Sequence, residues 1–447
     1  MPFDADPKSA LAALLDYARA AGAEAADASL SARESLSVDV RLGELEGVER
    51  EEARSIALRA LIGKRQAAAS TSDFSERGLN ALAERVVAMA RLAPEDPYCG
   101  LLDARWRAAE FPDLRIYDDT AIAASALEEM ARLCEAAALA VQGVTNSGGG
   151  GASWESSEAL YATSDGFLGH ARGGAFSLGV TALAENAAGK ERDYEYKTER
   201  WLSDLPEAAS IGRIAGERAV ARLGARKIES RKAPVIFEQR LAGRILGPLL
   251  GGMSGAAVAR GTSFVKDKLG QRVLPETFTI EEDPYLAKGL ASRTFDGEGA
   301  RPHRRNLIEN GTITTWLLNA AAARQLGLEP TGHATLGHGG PPGIGASNLR
   351  VAPGARDLDG LMADAGDGLL VTDMFSPSLN MNTGDWSVGV AGVWFERGAR
   401  AFPVSELTVA GNLLDIYARL IAGADSARRG AMETPSLMVD DLAIGGV

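Results

Sequence analysis

Hydrophobic positions along this chain recur with two periods, and the switches between them outline its elements. Leu11, Leu14, Leu15 and Ala18 share one helical face and predict a helix over residues 7–21. Asp6 stands where an N-cap belongs, Pro7 suits the first turn, and Gly22 ends the pattern. The period then drops to two. Leu36, Val38, Val40 and Leu42 alternate with Ser37, Asp39, Arg41 and Gly43, as in a half-buried strand. Residues 55–62 and 66–70 read as strands joined at Gly63 and Lys64, and 75–92 as a helix. A proline-rich, charged connection, Pro94 to Pro112, follows this meander. Beyond it lie a long Ala-rich helix over 119–141 and, at 156–163, 173–184 and 192–201, strands of a second sheet. The glycine run NSGGGGAS (146–153) lacks the Lys of a phosphate-binding loop and reads as a flexible loop before a strand. A helix over 205–223 ends at Gly224, and the basic run 225–232 reads as a solvated linker.

The C-terminal half opens on APVIFEQRLAGRILGPLLGGMSGAAVARGTS (233–263). Pro234 to Phe237 is a short buried strand. Leu241, Ile245, Leu249 and Met253 then recur at four-residue steps, and Gly261 stops the helix. Pro248 lies inside this pattern and either kinks the helix or begins it. Glu309-Asn310-Gly311 predicts a hairpin turn, residues 316–325 a short helix, and Arg397-Gly398 a second turn between strands. A terminal helix over 406–421 and a last strand over 437–444 complete the reading. The fold class is α+β. Residues 1–228 form an N-terminal α/β half of antiparallel strands and covering helices, with two sub-modules meeting near 94–112. Residues 229–447 form a β-rich, barrel-like half around the central kinked helix.

Composition narrows the function. The chain has 447 residues, 46% hydrophobic and 24% charged, as in a globular protein of two or three domains. Its net charge of −13 argues against nucleic acid as a partner. No apolar run reaches the roughly 18 residues of a membrane span. MPFDADPKSA has no basic, apolar leader, and Cys99 and Cys134 form no disulfide framework, so a cytoplasmic location is expected.

Four stretches carry a family resemblance. The order strand, helix, RGTS in 233–263 is one. The others are ARGTSFVKDKLG (259–270), RNLIENGTITTWLLN (305–319) and VTDMFSPSLNMNTGDWSVGVAGVWFERG (371–398). Together they resemble the C-terminal module of the TldD/PmbA family of two-subunit peptidases, whose members also carry the description modulator of DNA gyrase. In that family's catalytic subunit the helix bears H-E-x-x-x-H, which binds zinc and supplies a glutamate base. The corresponding positions here are Gly247, Pro248 and Gly252, and no histidine lies between His170 and His303. Zinc takes imidazole, thiolate or carboxylate donors. The cysteine that completes the family's zinc site is also missing, since its neighbourhood reads Leu379-Asn380-Met381-Asn382. The resemblance therefore implies a non-catalytic, PmbA-like (TldE-like) subunit with no metal or cofactor of its own. It implies a zinc-bearing TldD-like partner, a peptide substrate, and proteolysis or peptide processing by the hetero-oligomer in the cytoplasm. A homodimer of the isolated chain stays open.

On the same resemblance, Asn380, Asn382, Thr383, Gly384 and Asp385 become candidates for the wall of a peptide groove. From composition alone, the same residues make a tight turn, with Gly389 and Gly392 as packing positions. Two other functions stay open. One is an independent metallopeptidase using His303, His333 and His338, although the glycine-rich TGHATLGHGGPPG favours a structural or surface loop. The other is a peptide-binding scaffold with no enzymatic partner. No Gly-x-Ser-x-Gly elbow is present, and Glu281-Glu282-Asp283 and Asp440-Asp441 read as exposed turns.

Overall fold

In the computed structural model, which describes residues 6–187 and 189–447, the first helix forms on its predicted stripe. α1 (Pro7–Ala20) is capped by Asp6, whose carboxylate accepts the Lys8 N–H, and it buries Leu11, Leu14, Leu15 and Ala18. Strands β1 (Ala25–Arg41), β2 (Glu44–Ile62) and β3 (Arg65–Thr71) follow as a meander, then α2 (Glu76–Leu92) behind its N-cap Ser75. β1 and β2 extend well beyond the alternating positions. Their outer halves carry residues such as Glu49, Glu51 and Glu52, held by cross-strand pairing rather than by burial. At the tip, Leu42 and Gly43 take φ of 51° and 78°. The buried Glu135 carboxylate accepts both of their N–H groups, at 2.9 and 2.8 Å.

Next come α3 (Ala124–Leu139), β4 (Val144–Thr163), β5 (Leu168–Asn186), β6 (Gly189–Glu199) and α4 (Ala208–Ala221). Among the described residues, the strands expected to form a second sheet join the first. β4 pairs with β1, giving one antiparallel sheet in the order β3-β2-β1-β4-β5-β6. The glycine run is not a loop but lies within β4. Glycine is required there because α3 crosses so closely that a Cβ on Gly150 would stand 2.7 Å from the Ala131 carbonyl oxygen. α3 itself starts at Ala124 rather than 119. Asp118 instead accepts N–H groups from Thr120 and Leu202, which holds the preceding segment out of the helix.

β7 (Arg231–Phe237) leads into α5 (Gln239–Gly252), which runs through Pro248, and then α6 (Gly255–Ala259). The single helix expected to reach Gly261 breaks at Ser254. There the Gly255 N–H turns to the Leu317 carbonyl, at 2.8 Å, and the Leu317 N–H to Met253, at 3.0 Å. The chain continues through β8 (Ile280–Asp283), β9 (Arg305–Glu309), β10 (Thr312–Ile313), α7 (Ala320–Leu326), β11 (Ala334–Thr335), β12 (Gly343–Ile344) and β13 (Asn348–Val351). It ends with α8 (Leu358–Ala365), β14 (Gly368–Leu379), β15 (Asp385–Glu396), β16 (Ala399–Asn412), α9 (Leu413–Ala418), β17 (Leu420–Ala422), β18 (Ala427–Arg429), β19 (Met432–Thr434) and β20 (Leu437–Gly445). Both predicted turns form, with Asn310 and Gly311 at φ 49° and 77°, and Arg397 and Gly398 at 50° and 76°. The predicted terminal helix over 406–421 is mostly strand, because β15 and β20 both offer ladders to Thr408, Val409 and Ala410.

One C-terminal sheet runs β10-β9-β8-β13-β19-β18. The other runs β16-β15-β14-β7-β20-β17, and β16 also pairs with β20, so five of its strands close into a barrel. Leu241, Ile245, Leu249 and Met253 of α5 share one core with Phe237, Val371, Trp386 and Val388. Burying each such aliphatic side chain contributes about 1.5–3 kcal/mol. Buried and half-buried ion pairs tie the halves together. The Arg240 guanidinium meets both Asp193 oxygens, at 2.7 and 2.9 Å, and Arg222 reaches Asp373 at 2.8 Å. The connection after α2 lies on the C-terminal half, where the Ala108 N–H bonds the Gly299 carbonyl at 2.9 Å. No described helix is long and apolar enough to cross a membrane.

Candidate peptide groove

The apolar stripe that buries one face of α5 leaves Gly247 and Arg244 on the outward side. Pro248 of that outward side faces β14 and β15 across a cleft of about 160 Å³. Arg244, Met374, Pro377, Leu379, Trp386 and Val388 complete its walls. The helix therefore meets the strands that flank the T-G-D turn. The five candidate residues occupy the turn at the end of this cleft, while the flanking Leu379 and Trp386 line it.

That turn is bonded to itself and to Asn412 and Leu413. The Asn380 N–H donates to the Asp385 carbonyl at 2.9 Å, and the Asn380 carbonyl accepts the Gly384 N–H at 2.8 Å. Asn380 Oδ1 accepts the Asn382 N–H at 3.0 Å. The Thr383 hydroxyl donates to Asp385 Oδ2 at 2.7 Å, and Asn412 Nδ2 to Asp385 Oδ1 at 3.1 Å. Those two bonds, Thr383 first, hold the exposed Asp385 carboxyl below its ordinary range. Gly384 takes φ 83°, and Phe264 lies 3.3 Å from where its Cβ would be. Gly389 and Gly392 are packing positions, against the Phe375 ring and the Leu370 carbonyl.

A zinc ion does not fit these residues. Gly247, Pro248, Gly252 and Leu379 offer no donor, and the amide side chains of Asn380 and Asn382 are not among zinc's usual ligands. The backbone adds a second obstacle. A Cβ at Gly247 meets open space, but one at Gly252 would stand 3.0–3.2 Å from Val265, Phe264 and Ser263. Among the described residues, no group of three or more His, Cys, Asp or Glu is placed to hold a metal.

The three histidines are likewise not brought together. His303 is exposed at its surface edge, and partial desolvation, then the charges of Arg305 and Arg301, lower its pKa. His338 is exposed and sits 2.5 Å from the Ser55 hydroxyl. His333 is 1% exposed, its Nδ1 2.7 Å from the Thr331 hydroxyl and its Nε2 2.7 Å from Glu282. Glu282 is not in an exposed turn as its acidic run suggested. It lies on β8, 2% exposed, and also accepts the Ser347 N–H at 2.6 Å. Burial alone raises its pKa, but the bonds from His333 and Ser347 outweigh that and leave it lowered. Nearby in the C-terminal half, Asp296 and Glu298 are also buried. Burial first, then the charge of Asp296, pushes Glu298 up to about 7. Sequence reasoning missed this polar interior because acidic residues carry no periodic signature of burial. Arg244 was findable, since it stands one turn before Pro248 on the same helical face.

The arrangement is an α+β scaffold with a helix-walled cleft beside a closed barrel. Family models for PmbA/TldA metallopeptidase domain 1, central domain and C-terminal domain match residues 26–90, 116–223 and 230–446. The chain belongs to the PmbA/TldD metallopeptidase family. It is 34% identical over 425 residues to Metalloprotease PmbA of Escherichia coli O157:H7, covering 95% of this chain and 92% of that protein. It is 33% identical over 442 residues to the Metalloprotease PmbA homolog of Haemophilus influenzae, covering 98% and 96%. A Bacteroides thetaiotaomicron VPI-5482 protein described as a modulator of DNA gyrase superposes with TM-score 0.91 at 26% identity, over 100% of both chains. TldE from Thermococcus kodakarensis shares the fold, with TM-score 0.86 at 19% identity over 98% of this chain and 100% of that one.

Proposed function

We propose that this chain is the subunit without its own zinc centre in a two-component zinc peptidase acting on peptides in the cytoplasm. The observation that carries the reading is the helix α5. By the sequence resemblance it corresponds to the family's zinc helix, and it faces Leu379 and Trp386, which flank the T-G-D turn, yet it carries Gly247, Pro248 and Gly252 where that motif would stand. A site without metal donors or a base cannot activate water by the family's chemistry. A fold that keeps the groove and lacks the donors is suited to enclosing a partner's site. The expected partner is a TldD-like chain of the same family whose helix keeps H-E-x-x-x-H and carries the zinc. The turn from Asn380 to Asp385 then forms the rim of the shared groove.

The test is a peptidase assay on this chain, on such a partner, and on their mixture, with zinc measured in each. Chelator-sensitive cleavage is expected only where the partner is present, together with a mixed complex by light scattering. Zinc-dependent cleavage by this chain alone overturns the proposal. Peptide binding by this chain, with no mixed complex and no cleavage in the mixture, favours a scaffold acting by itself.

A further inference from the structure

Beside the apolar cleft, and sharing Arg244 and Met374 with it, opens a second cavity of about 610 Å³ between α5, β6 and β14. Lys190, Arg192, Arg222 and Arg244 line it against only two acids, Glu191 and Asp373. This excess of positive charge is set into a chain of net charge −13. Two of the cations are committed. Arg222 holds Asp373 at 2.8 Å, and Lys190 pairs with Glu185 at 3.2 Å. Arg192 and Arg244 have no carboxylate partner among the described residues. Arg244 donates only Nη1, to the Met374 carbonyl at 2.7 Å, so the rest of its fork is free. One turn earlier, Arg240 caps the Thr372 carbonyl at 2.5 Å. The two arginines thus fasten this edge of β14 to α5 and fix the cavity wall. Phe375, 42% exposed, also lines it.

A guanidinium fork next to an apolar cleft matches a carboxylate adjoining an apolar side chain. We propose that the two adjoining cavities together bind an acidic peptide segment. Its carboxylate is held by Arg192 and Arg244, and its neighbouring apolar side chain enters the cleft of Pro248, Leu379 and Trp386. This deepens the peptide-groove reading and rests on it. The carboxylate comes either from an Asp or Glu side chain or from the peptide's C-terminus.

The experiment is fluorescence anisotropy of labelled octapeptides with the full-length chain. One peptide carries an internal Leu-Asp and an amidated end. A second ends in Leu with a free carboxylate. A third is the amidated Leu-Asn analogue. At least one carboxylate peptide is expected to bind about tenfold more tightly than the uncharged analogue, the scale of one charge-assisted bond, and the tighter of the two names the source. Arg192→Ala, which removes no described contact, and Arg244→Ala should each erase most of the preference. Arg213→Ala, on the outer face of α4 with its charge paired to Glu217, should leave it unchanged. Equal affinity for all three peptides, no binding by the wild type, or an unchanged preference in the Arg192→Ala, Arg244→Ala double variant overturns the proposal. So does tighter binding of an oligo-dT of similar length. Binding by the isolated chain needs no partner, so its failure is separable from failure of the two-component reading, which the zinc and cleavage assays judge.

Discussion

His333 Nε2 and Glu282 Oε2 lie 2.7 Å apart, and neither side chain reaches solvent. The histidine that invited a metal reading is instead the partner of a buried carboxylate. His333→Ala leaves that carboxylate with the Ser347 N–H alone. Removing one member of a buried pair costs about 3–5 kcal/mol. Urea unfolding at neutral pH should show a loss of that size, and one below about 1 kcal/mol refutes the pairing. The pH dependence has a definite sign. The folded pKa of Glu282 is below its ordinary value. Its stabilising contribution is therefore complete above the ordinary carboxylate range and is lost as pH falls through the lower folded value.

Glu298 behaves oppositely. Its folded pKa is pushed up to about 7, so the native state holds a proton that the unfolded chain gives up near the ordinary carboxylate value. Stability therefore falls as pH rises through that window and levels off above about 7. Glu298→Gln keeps an acceptor for the Ala320 N–H without the charge. Its unfolding free energy should match wild type near pH 4 and exceed it at pH 8 by on the order of 3 kcal/mol, with a correspondingly higher thermal midpoint. Parallel pH profiles for the two proteins contradict the assignment.

Placing an H-E-x-x-x-H motif on α5 should not create a zinc site. In the Gly247→His, Pro248→Glu, Gly252→His variant, the first side chain has open space. The last would set its Cβ 3.0–3.2 Å from Val265, Phe264 and Ser263, so those neighbours have to shift to admit it. Elemental analysis after dialysis should find zinc well below one per chain, and the thermal midpoint should drop. One zinc per chain in a folded variant shows that the wall yields.

Asp385 and Asn382 should separate cleanly. Asp385→Ala removes acceptors from both Thr383 and Asn412 and should lower the thermal midpoint. Asn382 contributes to the turn through its backbone N–H, so Asn382→Ala should leave the midpoint unchanged. Equal midpoints for the two variants would mean that the carboxylate does not hold the turn.

Local order was legible wherever one side of an element faces a core. The stripe of α1, the four-residue step of α5 through Met253, and the Asn310-Gly311 and Arg397-Gly398 turns follow from periodicity and left-handed backbone preference. The absence of zinc donors at Gly247, Pro248 and Gly252 was equally a property of residue types. Position relative to distant chain was not legible. Gly150 and Gly151 become strand because β1 and β5 flank them, with α3 leaving no room for a side chain at Gly150, and residues 406–412 become strand because the barrel closes on them. Glu282 is buried because His333, fifty-one residues away, turns inward to meet it. Arg192 and Arg244 share a cavity because a strand of the first sheet ends beside the barrel's helix. Periodicity reports only the neighbours that a residue meets through its own helix or strand. Pairings set by burial of charge and by sheet closure depend on segments far away in sequence, and so only the tertiary structure decided them.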